Sequence, residues 1–260
     1  MRLVFLFVLF GFYPLPGLRQ FPVSLKTMKA TVIIPAAGSG RRMGGTVSKQ
    51  YLELAGKPIL AHTLTLFENH PLIEHIYLIV PAGDIAYCQE QIVDRYGFKK
   101  VSRIVAGGAE RQDSVANGLN ALAEDGLNQP SRPILIHDGA RPLFDCQHLS
   151  ALIDAVRDTG ACTIGVPVKD TIKTVENSTI THSPERSQLW QVQTPQGFQY
   201  QLIREAFDRA GADGFVATDD ASLVERLGHP VKMLEGDYRN IKVTTPEDIL
   251  IAVALLGGST

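Results

Sequence analysis

Apolar runs alternate with amphipathic stretches along the first two thirds of the chain. The runs predict strands at Thr31–Pro35, His75–Val80, Val101–Val105, Pro133–His137 and Cys162–Val166. Between them, apolar residues recur at helical spacing and predict helices around Ile59–Phe67, Ile85–Tyr96, Val115–Leu122 and Leu149–Val156. This alternation predicts a Rossmann-like three-layer α/β fold, whose mostly parallel sheet has helices on both faces. Such a sheet binds ligands beyond the carboxyl ends of its strands.

The pattern changes between residues 168 and 193. Thr171–Val175 and Thr179–Thr181 each alternate polar and apolar residues, and turn-forming residues separate them at 176–178. This pattern predicts a β-hairpin arm that projects from the main sheet. Farther along, the pattern predicts helices near Tyr200–Ala210 and Asp219–Leu227, strands near Val231–Leu234 and Ile241–Val243, and a last helix after Pro246.

The predicted arm carries apolar residues that a single copy of the chain would leave in water. Ile172, Val175 and Ile180 are the clearest of them. Because exposed apolar patches of this kind usually mark an interface, we expect a homodimer in which the arm meets the neighbouring subunit.

Composition narrows the class of protein. With 260 residues, of which 45% are hydrophobic and 20% charged, the chain has the profile of one globular domain with a large core. A net charge of -2 argues against a nucleic-acid groove but is compatible with a small anionic substrate. Cys88, Cys146 and Cys162 have no metal-ligand spacing, so we expect reduced thiols and a cytoplasmic protein.

The first 27 residues form a separate question. Arg2 and the apolar run Leu3–Phe12 imitate a signal peptide, but prolines follow and no small-x-small cleavage site is present. The run is also too short to span a bilayer. Met28 stands just before the first strand, so we expect residues 1–27 to lie outside the fold and to be disordered or poorly packed, and residues 28–260 to form one domain. The alternative is a targeting peptide, for a plastid or another destination.

A glycine-rich, doubly basic loop follows the first strand. It runs from Ala36 to Gly44 and is followed by Lys49. Small residues let backbone N–H groups approach phosphate oxygens, and the cationic side chains neutralise the phosphate charge, so the loop predicts a nucleoside triphosphate site. A P-loop needs Lys-Ser/Thr after its last glycine, where the chain has Thr46-Val47. The dinucleotide-binding fingerprint needs a glycine where the chain has Met43. The sequence therefore does not fit a P-loop, and a dinucleotide-binding loop is disfavoured.

The predicted strand Pro133–His137 ends on an acidic loop. Asp138 stands at its carboxyl end, which should face the phosphate loop. Mg²⁺ prefers oxygen ligands and bridges protein carboxylates to substrate phosphates, so Asp138 is the candidate metal ligand. The alternative is an aspartate that only caps a turn. His137 lies inside an apolar strand and is expected to be a hydrogen-bonded core histidine rather than a ligand.

Several motifs, spread from about Lys29 to the last helix, together resemble one family. They are Pro35-Ala36-Ala37-Gly38-Ser39-Gly40-Arg41-Arg42-Met43, Lys49-Gln50-Tyr51, Gly107-Gly108 with Arg111 and Asp113-Ser114-Val115, His137-Asp138-Gly139-Ala140-Arg141-Pro142, Asp170-Thr171-Ile172-Lys173, Thr194-Pro195-Gln196, Thr218-Asp219-Asp220-Ala221-Ser222 and Asn240-Ile241-Lys242-Val243-Thr244. In this order they resemble the 2-C-methyl-D-erythritol 4-phosphate cytidylyltransferases. That family transfers CMP from CTP to methylerythritol phosphate and releases pyrophosphate, in the non-mevalonate route to isoprenoids.

The resemblance implies a nucleotidyltransferase fold and a role for each matching residue. It implies that Arg42 and Lys49 contact the triphosphate, that Lys242 and Thr244 orient the acceptor phosphate, and that Asp138 lies near Mg²⁺. The remaining implied substrate contacts are Ala36, Ala37, Gly38, Gly40, Gly108 and Ser114 around the nucleotide, Arg141 near the sugar phosphate, Thr218, and Thr171 and Arg186 of the arm in the partner subunit's site.

The chemistry agrees with the lack of a catalytic base among these motifs. The nucleophile would be a phosphate monoester, largely a dianion at neutral pH because its second pKa is about 6. The difficulty is to bring two anions together and to stabilise charge on the departing pyrophosphate, which requires fixed cations and Mg²⁺. We therefore predict Arg42, Lys49, Arg186 and Lys242 as the catalytic residues.

Two other functions stay open at this point. A cytidylyltransferase for another polyol phosphate, such as ribitol 5-phosphate, would share the loop, the lysine and the arm. A nucleotide-binding regulator without activity would keep the fold. The presence of Arg42, Lys49 and Lys242 together argues against the regulator. The motif at residues 218–222 favours methylerythritol phosphate as the acceptor.

Overall fold

The computed structural model describes residues 29–38 and 48–257. These residues form a seven-stranded sheet with helices on both faces, two small hairpins and connecting loops. The elements are β1 (Ala30–Pro35), β2 (Glu53–Leu54), β3 (Lys57–Pro58), α1 (Ile59–Glu68), β4 (Ile73–Val80), α2 (Ile85–Cys88), β5 (Val101–Ala106), α3 (Arg111–Glu124), β6 (Pro133–Ile136), α4 (His148–Thr159), β7 (Ala161–Pro167), β8 (Thr174–Glu176), β9 (Thr179–His182), β10 (Trp190–Gln199), α5 (Tyr200–Asp213), α6 (Asp220–Arg226), β11 (Lys232–Glu235) and α7 (Pro246–Gly257). A 3-10 turn spans Lys49–Tyr51, and a π-helix, Gln89–Asp94, continues α2.

The sheet is mostly parallel, in the order β11-β7-β10-β6-β1-β4-β5. Strand β10 alone runs against its neighbours β6 and β7, while the other adjacent pairs of this sheet are parallel. The predicted α/β class and mostly parallel sheet are therefore confirmed. Because β1, β4, β5 and β6 are parallel, the loops after them emerge at one edge.

Two hydrophobic clusters explain why the central strands are apolar throughout. Val32 and Ile34 of β1 point to the face covered by α1 and α4, and Ile33 between them points to the face covered by α3 and α5. Successive side chains of a strand lie on opposite sides, so a strand covered on both faces needs an unbroken apolar run. This packing makes β1 the buried centre from which the glycine-rich loop departs.

Two predictions about strands were wrong. No strand was predicted between the arm and the helix near Tyr200, yet β10 lies there and pairs with β6 and β7 inside the sheet. The residues of β10 around Thr194 are polar and lie where the register against β7 shifts, so they lack the regular alternation of polar and apolar residues that predicts a strand. Ile241–Val243, predicted as a strand, belongs to no strand or helix. Its Val243 amide donates to the Ala140 carbonyl, so the segment crosses the loop after β6 rather than joining the sheet.

The arm is a short two-stranded hairpin, β8 paired with β9. Asn177 and Ser178 at its tip both have positive φ angles, as a tight hairpin turn requires. Val175 and Ile180 are more than half exposed in the single chain. The predicted arm is thus present, and its apolar side chains are uncovered as expected.

Gly118 of α3 offers a test of how tightly the sheet and this helix pack. A Cβ atom there would lie 2.7 Å from Cγ2 of Ile33, a fully buried side chain of β1. We expect Gly118→Ala to destabilise the protein by about 1–2 kcal/mol, because overpacking outweighs the gain of about 1 kcal/mol in helix propensity. Denaturant unfolding measures this change.

Gly211 of α5 is the matched control for that substitution. Nothing lies within 4 Å of the position its Cβ would take. Gly211→Ala should therefore raise the free energy of unfolding by up to about 1 kcal/mol. Equal gains from both substitutions would show that α3 does not pack against β1 as described.

Other predictions concern the chain as a whole. No helix in the described ranges is long and apolar enough to cross a membrane. Cys88, Cys146 and Cys162 are all free thiols, as predicted. The expected status of residues 1–27 concerns a segment outside the described residues, and the cytoplasmic location stays a prediction.

Candidate active site

A cavity of about 400 Å³ lies at the carboxyl edge of the sheet. Its walls come from the loops after β1, β5 and β6, from the 3-10 turn, and from the segment that precedes α7. This is the edge at which a parallel α/β sheet binds ligands. Eight of the predicted site residues line it: Ala36, Ala37, Gly38, Lys49, Gly108, Ser114, Asp138 and Lys242.

The other predicted residues are placed differently. Arg141 lies behind Asp138, where its guanidinium donates to the Asn240 carbonyl at 2.7 Å. Thr244 hydrogen-bonds Asp248 at the start of α7 and does not line the cavity. Thr218 is exposed on the loop before α6. Thr171 and Arg186 are exposed on the arm, and Gly40 and Arg42 lie outside the described residues.

The loop between β5 and α3 approaches the β1 loop very closely. A Cβ on Gly107 would lie 2.3 Å from Cβ of Ala37, so only glycine fits between them. The Ser114 hydroxyl accepts from the Gly108 amide at 3.1 Å and donates to the Glu110 carbonyl at 3.1 Å. These contacts hold the first turn of α3, the positive end of the helix dipole, beside the cavity.

Asp138 is surrounded by cationic side chains. Its Oδ1 accepts from Arg111 Nε at 3.0 Å, and its Oδ2 lies 2.7 Å from Lys242 Nζ and 3.8 Å from Arg141 Nε. The Asp138 side chain is only 9% exposed, whereas Lys242 is 37% exposed. The carboxylate therefore gathers three cations at the cavity wall, of which Lys242 is the most accessible to a ligand.

Arg111 joins this cluster to α6. Its two terminal nitrogens bind the two Asp220 oxygens at 3.0 and 2.7 Å, a bidentate pair with a carboxylate that is almost fully buried. Arg111 and Asp220 lie in motifs of the family resemblance, but no role was predicted for either residue. Their position could have indicated a role, because each residue begins a helix that follows a loop with one of the family motifs.

The charges shift the protonation of the cluster in a clear direction. Burial alone would raise the pKa of Asp138, but Arg111 and then Lys242 hold that pKa well below its usual range. Burial raises the pKa of Asp220, and the attraction of Arg111 opposes the rise. Asp138 is therefore an anion at neutral pH. The cavity is lined by the cations Lys49, Arg111 and Lys242 and by the anions Glu110 and Asp138.

His137 is a buried core histidine, as predicted. It is fully inaccessible to solvent, and burial lowers its pKa to about 4. Its two ring nitrogens lie 3.0 Å from the Arg141 carbonyl and 3.1 Å from the Thr194 hydroxyl. Both nitrogens are thus engaged by the protein, which leaves neither for a ligand.

Comparison with known proteins decides the family. The family model described as 2-C-methyl-D-erythritol 4-phosphate cytidylyltransferase matches residues 30–258. The chain belongs to this family. The predicted family resemblance and the nucleotidyltransferase fold are therefore confirmed.

Relatives of the family align with nearly their whole length. A 2-C-methyl-D-erythritol 4-phosphate cytidylyltransferase of Geotalea uraniireducens is 51% identical over 229 residues, which are 88% of this chain and 97% of that protein. One of Syntrophotalea carbinolica is 52% identical over 231 residues, with the same coverage of both chains. The crystal structure of 4-diphosphocytidyl-2C-methyl-D-erythritol synthase from Anaerococcus prevotii superposes with a TM-score of 0.77 at 32% identity and covers 90% of this chain and 98% of its own.

The donor atoms at the cavity limit which metal site is possible for this family member. In the described ranges, no group of three or more His, Cys, Asp or Glu side chains could hold a metal ion. Asp138 and Glu110 are the carboxylates that line the cavity. These two carboxylates are compatible with a magnesium ion that is held by one or two carboxylates and by substrate phosphates. They are not compatible with a metal site in which protein side chains of the described residues supply all the ligands.

Proposed function

We propose that the chain transfers CMP from CTP to 2-C-methyl-D-erythritol 4-phosphate, giving 4-diphosphocytidyl-2-C-methyl-D-erythritol and pyrophosphate. The observation that carries the proposal is the convergence of Lys49, Arg111 and Lys242 on one cavity beside a glycine-rich loop, in a chain of this family. Cations at that place suit the union of two anionic substrates.

The reaction we propose is an in-line displacement at the α-phosphorus of CTP. An oxygen of the acceptor phosphate forms the new P–O bond, and the bond to the bridging oxygen of the β-phosphate breaks, so pyrophosphate leaves with the electron pair. No general base is needed, because the attacking phosphate is already largely deprotonated at neutral pH. The protein then has to hold both phosphates in line and to stabilise the charge that develops on the leaving group.

Each cavity wall suits one part of the substrates. Lys49, and Arg42 outside the described residues, would hold the triphosphate. Ala36, Ala37 and Gly108 would face the cytidine, because these small residues line the cavity. Lys242 would bind the acceptor phosphate, because its ammonium is the most exposed cation around Asp138.

Magnesium is proposed as the ion that accompanies CTP. Asp138 would hold it, since its low pKa keeps the side chain anionic and one carboxylate with substrate phosphates is a common Mg²⁺ site. The ion would supply further charge stabilisation at the phosphates when bound. Lys242 Nζ lies 2.7 Å from Asp138 Oδ2, so Asp138 would also keep this ammonium at the cavity wall, where the acceptor phosphate is proposed to bind.

A homodimer is proposed in which the arm completes the neighbouring site. Val175 and Ile180 are exposed on the arm. Arg186 is exposed as well, and in the described part of the chain its side chain donates one hydrogen bond, to the Lys169 carbonyl. Thr171 and Arg186 would then reach the partner's acceptor phosphate. Sedimentation at micromolar concentration tests the dimer, and a monomer under those conditions would contradict it.

A pyrophosphate-release assay tests the proposed reaction. With CTP and Mg²⁺, we expect faster release with 2-C-methyl-D-erythritol 4-phosphate than with ribitol 5-phosphate. Lys49→Ala should lower turnover on the order of a hundredfold to a thousandfold, as removal of one well-placed donor usually does. Faster transfer to ribitol 5-phosphate would assign the other acceptor, and no release above the Lys49→Ala level would indicate a regulator without activity.

A further inference from the structure

Strand β10 leaves the arm and enters the sheet through an irregular segment beside the active site. Gln193 pairs with Ile164 of β7, but the next residue in register, Gln196, pairs with Thr163. Between these two pairs β10 therefore has two residues more than β7. One of them is Thr194, which is 6% exposed. Irregularities of this kind redirect side chains and backbone groups away from the regular ladder.

The Thr194 hydroxyl stands between His137 and the backbone of Asp138. Its Oγ1 accepts from the Asp138 amide at 3.1 Å and lies 3.1 Å from His137 Nδ1. His137 Nε2 lies 3.0 Å from the Arg141 carbonyl, which can only accept, so Nε2 carries the proton. Nδ1 of the neutral ring is then an acceptor, and Thr194 donates to it. The directions of all three bonds are thereby determined.

The same segment also holds the irregular stretch that carries Lys242. Asn240 is 1% exposed, and its amide donates to Gln193 Oε1 at 3.1 Å and to the Thr194 carbonyl at 2.9 Å. The Asn240 carbonyl accepts from Arg141 at 2.7 Å. Lys242 follows two residues later and contacts Asp138. Thr194 therefore contacts the Asp138 backbone on one side and the Asn240 side chain on the other.

We infer that Thr194 is a positioning residue for the reaction, because its hydroxyl and carbonyl hold Asp138 and the Asn240–Lys242 stretch at one fixed separation. The inference rests on the proposed function. Thr194 does not line the cavity, so it acts through Asp138 and Lys242, which do. A misplacement of about 1 Å at such residues can cost about a hundredfold in rate.

Thr194→Val tests this role, since valine keeps the shape and removes the hydroxyl. We expect kcat to fall between about tenfold and a hundredfold, with KM for CTP and for the acceptor within about threefold of the parent. Thr194→Ser keeps the hydroxyl and should retain kcat within about threefold. If the valine variant does not fold, Thr194→Ala removes the same hydroxyl without crowding.

Thr163→Val is the matched control from the neighbouring strand. Thr163 is also buried, at 3% exposure, but its hydroxyl has no hydrogen-bond partner in the part of the chain that is described. Its substitution should leave kcat unchanged. A kcat loss shared by Thr163→Val and Thr194→Val, or equal losses in Thr194→Ser and Thr194→Val, would overturn the inference.

A measurement without turnover separates this inference from the proposed reaction. In amide ¹⁵N spectra, the Asp138 N–H signal should move in Thr194→Val and stay in place in Thr194→Ser and Thr163→Val, because only the valine variant loses its acceptor. An unmoved Asp138 signal in Thr194→Val would refute the positioning role. Loss of the proposed reaction in the parent protein, with the Asp138 signal moving as expected, would refute the function alone.

Discussion

Replacement of Lys242 by methionine should lower the turnover of cytidylyl transfer by about a hundredfold to a thousandfold. Methionine keeps much of the length of the side chain and removes its charge. Lys242 Nζ lies 2.7 Å from Asp138 at the wall of the cavity, so it stands where charge on the acceptor phosphate and the leaving group must be balanced. Initial rates of pyrophosphate release at saturating CTP and acceptor measure the effect.

Lys232→Met is the matched control for Lys242→Met. Lys232 is an exposed lysine on the edge strand β11, away from the cavity wall. Its substitution should change turnover by less than about twofold, since a surface charge beyond a Debye length of about 10 Å is largely screened. Similar rates for the two variants would show that Lys242 has no part in the transition state.

The second large effect is expected on stability, at Arg111. Arg111→Met leaves Asp220, whose side chain is 2% exposed, without its bidentate partner and also takes a cation from Asp138. Removing one partner of a buried ion pair costs about 3–5 kcal/mol, and we expect about 3 kcal/mol because Asp220 can take up a proton. Denaturant unfolding at neutral pH gives this free energy. Activity should fall as well, because Asp138 loses one of its supports.

Arg103→Met provides the comparison for Arg111→Met. Arg103 pairs with Glu124 and Asp125, but its own side chain is 40% exposed, and such surface pairs contribute at most about 1 kcal/mol. The double substitution Arg111→Met with Asp220→Asn should recover part of the lost stability, since no buried charge is then unpaired. Equal losses of unfolding free energy in Arg103→Met and Arg111→Met would mean that the buried ion pair stabilises the protein no more than the surface pair does.

The regular elements could be predicted from the chain because their signals are local. The apolar run of β1 and the helical spacing of α3 depend on neighbours a few residues away, and both elements appear where they were expected. Strand β10 and the stretch Ile241–Val243 were predicted wrongly for one reason. Their conformation is set by partners far along the chain, on β6, β7 and the Ala140 carbonyl, which outweigh local pattern.

For the site, the sequence by itself determined which residue types stand at the carboxyl ends of the strands, because parallel strands bring those ends together wherever they occur in the chain. That rule was sufficient to place Ala37 and Asp138 in one cavity, whereas Lys49 was placed there by the family resemblance. Only the tertiary structure decided the pairing of Arg111 with Asp220, 109 residues away, and the contact of Thr194 with Asp138, 56 residues away. Such contacts leave no periodic trace in the sequence, since each depends on the exact fit of separate elements in a packed interior.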